Sequence, residues 1–157
     1  MRRTFAFSGP GRRRMTLALA LALAASLASA DELHSYALVQ DDASLRIKGK
    51  TVYLDGIYLP PTERQCLSVM RPVRCGGRAV LALEFRIQGF VHCFVRTVNE
   101  DGSRTATCYV DRSHFDEGED LSAYLISKGW AVALPDAPFE YQVLERIARE
   151  HGVGVWG

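Results

Sequence analysis

KTVYLDGIYLPPTERQC, residues 50–66, decides how the rest of the chain is read. Successive side chains of a strand point to opposite faces. Val52, Leu54 and Gly56 therefore share one face, and Tyr53, Asp55 and Ile57 the other. Pro60 and Pro61 stop the strand. Neither has an amide N–H for a ladder, and their fixed φ forces an extended exit.

Upstream of this strand, 31–35 reads as a polar leader. Residues 36–40 and 44–48 alternate weakly and predict two short strands, with a turn at Gly49-Lys50. Downstream, 62–77 is a long corner. RAVLALEFRIQ, residues 78–88, predicts a helix: Val80, Leu83 and Ile87 recur at helical spacing, and Gly89 follows. FVHCFVRTV (90–98) and RTATCYV (104–110) are rich in β-branched and aromatic residues, and Asn99-Glu100-Asp101-Gly102 between them has turn chemistry. Leu121, Tyr124 and Leu125 give 120–128 an apolar stripe, ended by Gly129. A short strand over 130–134 and a last helix over 138–150 follow, with Tyr141, Leu144, Ile147 and Ala148 inward. This order predicts an α+β fold, a five-stranded OB-type barrel with helices packed on it.

The first thirty residues are expected to be a secretory signal peptide. Arg2, Arg3, Arg12, Arg13 and Arg14 precede an apolar run from Met15 to Leu27, and Ala28-Ser29-Ala30 supplies a cleavage site. The run is too short for a membrane span. The expected domain is then 31–157, a monomer, exported to a periplasm or secreted. The whole chain holds 19 Lys+Arg and 18 Asp+Glu. Five arginines and no acid lie in 1–30, so 31–157 holds 14 basic against 18 acidic residues, a net of −4. That balance argues against nucleic acid as a partner, because phosphate neutralisation supplies most of such affinity.

Cys66, Cys75, Cys93 and Cys108 all follow the leader. An even count in a small exported domain suggests disulfides, and four cysteines allow three pairings. Proximity favours Cys66 with Cys75, and Cys93 and Cys108 lie on two strands joined by a turn, where they can face each other. Zinc spacing is missing: there is no C-x₂₋₄-C, and His34, His92, His114 and His151 are scattered.

Tyr53-Leu54-Asp55-Gly56-Ile57-Tyr58-Leu59-Pro60-Pro61 resembles the active-site strand of the staphylococcal nuclease (thermonuclease) family, usually R-L-x-G-I-D-A-P-E. Asp120-Leu121 through Gly129-Trp130-Ala131 is similar to the family's D-L-x-x-x-L-v-r-x-G-W-A. Ala148-Arg149 with Gly154 and Trp156 is similar to its closing A-R-x-x-x-x-G-x-W. The resemblance covers nearly all of 36–157. It implies a nuclease-type OB barrel and, in an active member, calcium-dependent phosphodiester hydrolysis.

That reaction needs a hard cation, cationic donors for the developing charge and a carboxylate to activate water. The resemblance places these groups at positions that no longer carry them. Ala43 of Asp41-Asp42-Ala43-Ser44 stands at one calcium ligand, and Tyr58 at the other. Tyr53 replaces an arginine, and Pro61 the catalytic glutamate. Arg104, near the family's G-R-T turn, is the one retained catalytic arginine that the resemblance offers. The expectation is a catalytically inactive binding or scaffold module of the cell envelope, with no cofactor and no metal, whose aromatic face is built on Tyr53, Tyr58 and Asp55. The competing expectation is an active calcium-dependent nuclease whose displaced site is rebuilt from neighbouring carboxylates such as Asp41, Asp42, Asp55 and Glu63.

Overall fold

The computed structural model describes residues 31–60 and 77–157 in full, and 65–66 and 73–76 as backbone. β1 (Glu32–Val39), β2 (Leu45–Ile47) and β3 (Lys50–Leu54) form an antiparallel meander. After β3 come β4 (Ile57–Tyr58), β5 (Gln65–Cys66), β6 (Val73–Arg74) and α1 (Cys75–Arg86). β7 (Phe90–Val98) then pairs with β1, and β8 (Arg104–Val110) with β7, both antiparallel. β8 returns to β3 in parallel, with Tyr53 opposite Thr105. That contact closes β1, β2, β3, β7 and β8 into a five-stranded mixed barrel of OB type. β9 (Glu119–Asp120), α2 (Leu121–Ser127), β10 (Val132–Ala133), α3 (Phe139–Glu150) and a 3₁₀ turn, Gly154–Trp156, complete the chain.

Alternation fills the barrel. Leu45, Ile47, Val52, Leu54, Val91, Cys93, Ala106, Cys108 and Val110 are buried inside it, and Leu83, Leu121, Leu125 and Ile126 come down from the helices. A fully buried leucine contributes roughly 1.5–3 kcal/mol relative to an exposed one, so this set dominates stability. The Cys93–Cys108 disulfide joins β7 and β8 inside the barrel, as the facing strands suggested. The expected Cys66–Cys75 pair falls on side chains outside the described residues, where backbone alone shows β5 pairing with β6.

Several boundaries differ from the sequence reading. The leader is already strand: β1 starts at Glu32, because Leu33 reaches the core opposite Cys93. The helix expected over 78–88 begins at Cys75 and ends at Arg86. Arg86 there binds Asp111 and Glu119, fastening the helix to the barrel end. The strand expected to run through Ile57 breaks at Gly56, whose φ of +73° turns the chain. Ile57 and Tyr58 then pair with Ala133 and Val132. β10 keeps only two residues of the expected 130–134 strand and pairs with β4. Pro138 stands before α3 as its extended N-cap.

The other two glycine motifs meet each other. Gly129 (φ +68°) and Gly154 (φ +63°) lie so close that a Cβ on Gly129 would stand 2.2 Å from the Val153 carbonyl oxygen, and one on Gly154 2.2 Å from that of Gly129. Val155 N–H donates to the Gly129 carbonyl at 2.9 Å, tying the chain end to the exit of α2. Among the described residues no helix is long and apolar enough to cross a membrane.

Candidate functional site

Tyr53 lies on the outer phase of β3, between the buried Val52 and Leu54, and is 41% exposed. It lines a shallow hollow of about 590 Å³ with Thr97, Val98, Asn99, Glu100, Asp101 and Ser103. A second hollow of about 250 Å³ adjoins it, lined by Lys50, Thr51, Tyr53, Asp101 and Ser103 among others. In barrel terms this is the third strand with the loop joining the fourth and fifth, on the side where OB folds take their ligands.

The loop is braced from within. Ser103 N–H and Oγ–H both donate to Asp101 Oδ1, at 2.9 and 2.6 Å, and Asn99 Nδ2 donates to Ser103 Oγ at 2.8 Å. The Ser103 hydroxyl bond and then its amide hold the exposed Asp101 carboxyl below the ordinary aspartate value. The loop between β1 and β2 repeats the device. Ser44 N–H and Oγ–H donate to Asp42 Oδ1 at 3.0 and 2.6 Å. The middle residue of each Asp-x-Ser turn takes positive φ, +61° at Ala43 and +80° at Gly102. These are the two loops to which the resemblance assigns a calcium carboxylate and an arginine. Here the aspartate of each is spent on its own turn.

Ala43 is 3% exposed and belongs to the core cluster. Tyr58 is 51% exposed and sits on the β4–β10 ladder, lining neither hollow. The structure thus joins Tyr53 to the 97–103 segment rather than to Tyr58. Asp55 follows β3: its carbonyl accepts from Ser122 Oγ at 2.9 Å, and its carboxylate lies 4.0 Å from Arg96 Nε. Arg96 Nε also donates to Thr107 Oγ1 at 3.3 Å. Pro61 and Glu63 lie outside the described residues.

Arg104 takes the inward phase of β8 together with the buried Ala106 and Cys108. Its Nε donates to Asp31 Oδ2 at 3.1 Å, so its charge is held at the start of the chain's first strand. Ser103, one residue earlier, lines both hollows with Tyr53. The sequence shows Asn99 and Asp101 only as turn residues and does not single out Ser103. The available signal was the repeated Asp-x-Ser triplet with a small middle residue, at 42–44 and 101–103. Among the described residues no group of three or more His, Cys, Asp and Glu is arranged to hold a metal ion.

No family model matches the chain, and no curated protein matches it.

Proposed function

We propose that this chain is an exported, catalytically silent nuclease-like barrel, a binding module of the cell envelope whose Tyr53 hollow takes a carbohydrate segment. The observation that carries the reading is the make-up of that hollow. An exposed phenol ring is flanked by an amide, a hydroxyl and carboxylates: Asn99, Ser103, Asp101 and Glu100. A sugar offers an apolar ring face and a rim of hydroxyls, which such a surface meets by stacking and by donor and acceptor pairs. Ser103 and Asn99 are already rigidly placed, so little order must be gained on binding.

Catalysis is argued against by what stands in the two loops. A buried alanine occupies the place where the resemblance calls for a calcium ligand, and the charge of Arg104, the arginine it retains, is held by Asp31 away from the Tyr53 hollow. Loss of a general base alone removes about 10²–10⁴ in rate, and of a charge-stabilising donor about 10²–10³.

The test titrates the chain with neutral and amino-sugar oligosaccharides by calorimetry. Saturable binding is expected, and Tyr53→Ala should abolish it while leaving the thermal melt within a few degrees. Binding that ignores Tyr53→Ala, or none to any sugar, defeats the reading. Release of acid-soluble nucleotides that a calcium chelator suppresses would establish the active nuclease instead.

A further inference from the structure

Away from the Tyr53 hollow, three of the chain's four histidines converge. His34, His92 and His114 line one cleft of about 670 Å³ on the outside of the barrel, with Glu32, Phe90 and Arg112. His34 on β1 and His92 on β7 are direct register partners across the antiparallel pair. Their rings lie face to face, centroids 3.7 Å apart and 20° from parallel. Phe90 meets the His34 ring edge-on at 5.0 Å and walls one side. Neither imidazole is engaged in a hydrogen bond by another protein group among the described residues. Glu32, two residues before His34 on the same face, brings Oε1 to 3.8 Å from Nδ1 of His92.

We propose that His34 and His92 bind a divalent transition cation, one nitrogen from each ring, with water completing the shell. Side chains directly opposed across antiparallel strands have Cβ atoms only about 4.5–5.5 Å apart, so both rings reach one ion once side-chain rotation opens the stack and turns one nitrogen lone pair of each toward it. Neutral imidazole suits copper(II), zinc and nickel, and the usual affinity order puts copper(II) first. Glu32 is a positioning residue. Its carboxylate stands 3.8 Å from His92 Nδ1, so a small approach on metal binding lets it accept the Nδ1–H and fix the tautomer that leaves Nε2 to ligate, as carboxylates behind metal-bound histidines do. The site rests on two protein ligands, in keeping with the lack of any larger grouping of donors among the described residues. It is independent of the sugar reading, since Tyr53 lines neither this cleft nor its rim.

The experiment titrates the chain with copper(II) alone, followed by electron paramagnetic resonance, and with zinc alone by calorimetry. One ion per chain is expected, with hyperfine splitting from two nitrogens. His34→Ala and His92→Ala should each abolish it, and His151→Ala should leave it unchanged. Glu32→Gln should weaken it by about 10–100-fold, the range for groups behind a metal ligand. Metal-free melts of all variants check that the barrel persists. His92→Ala is decisive, because it removes one of the two proposed nitrogens and leaves His34 in place. Copper binding that survives His92→Ala, or the lack of saturable binding by the folded parent, overturns the proposal.

Discussion

Gly56→Ala is expected to be among the most destabilising single-atom additions in this fold. Gly56 has φ of +73°, and a Cβ there would stand 2.9 Å from Cε2 and 3.2 Å from Cδ2 of Tyr141. The left-handed backbone alone costs an alanine roughly 1–2 kcal/mol. The ring must also move, and its hydroxyl donates to Asp120 Oδ2 at 2.5 Å. Asp120 in turn caps α2 by accepting from the Ser122 and Ala123 amides. Losing a hydrogen bond to a charged group costs about 1.5–3 kcal/mol. The two effects together give about 2.5–5 kcal/mol. Urea unfolding at constant m-value measures it. In a Tyr141→Ala background the collision is gone, and the same substitution should cost only the backbone strain, about 1–2 kcal/mol. An equal loss in both backgrounds, or a loss under about 1 kcal/mol in the parent, would refute the reasoning, since strain and collision could not then be acting as described.

Two further outcomes concern stability. The Cys93–Cys108 link spans a separation of 15 residues, and replacing both cysteines by serine should remove about 3 kcal/mol by the loop-closure estimate, read from denaturant midpoints. Burial lifts the Asp120 carboxyl above its ordinary 3.8, outweighing the hydrogen bonds from Tyr141, Ser122 and Ala123 that lower it. The folded state therefore holds that proton more tightly than the unfolded chain. The resulting stability is present below the unfolded value and lost as pH rises through the folded one. Asp120→Asn removes this slope, so the variant's stability relative to the parent should climb as pH is raised from about 4. A difference that stays flat between acid and neutral pH contradicts the assignment.

The same contacts give physical sense to the sequence motifs that suggested the barrel. Leu-x-Gly-Ile places Gly56 under the Tyr141 ring. Asp120-Leu121 is an N-cap followed by a core residue. Gly129 and Gly154 touch backbone to backbone. At these positions a Cβ or a missing cap oxygen would break a packing contact of the barrel and its helices, and none of these contacts requires nuclease chemistry.

Read alone, the sequence determined the order of the five barrel strands and three helices, the shared face of Val52 and Leu54, and the two-strand setting of one disulfide. These follow from period-two alternation, β-branched runs and turn residues, which act over a few neighbouring positions. It also carried the absence of charge at 43, 53, 58 and 61, since residue identity needs no coordinates. Tertiary structure alone decided which residues stand around Tyr53. The parallel β3–β8 closure sets Ser103 rather than Arg104 beside it, and a shift of one residue along a strand exchanges the two faces. It also brought His34 and His92 into register across 58 positions. Strand register depends on long-range pairing energy summed over the whole barrel, and no local pattern in the chain encodes it.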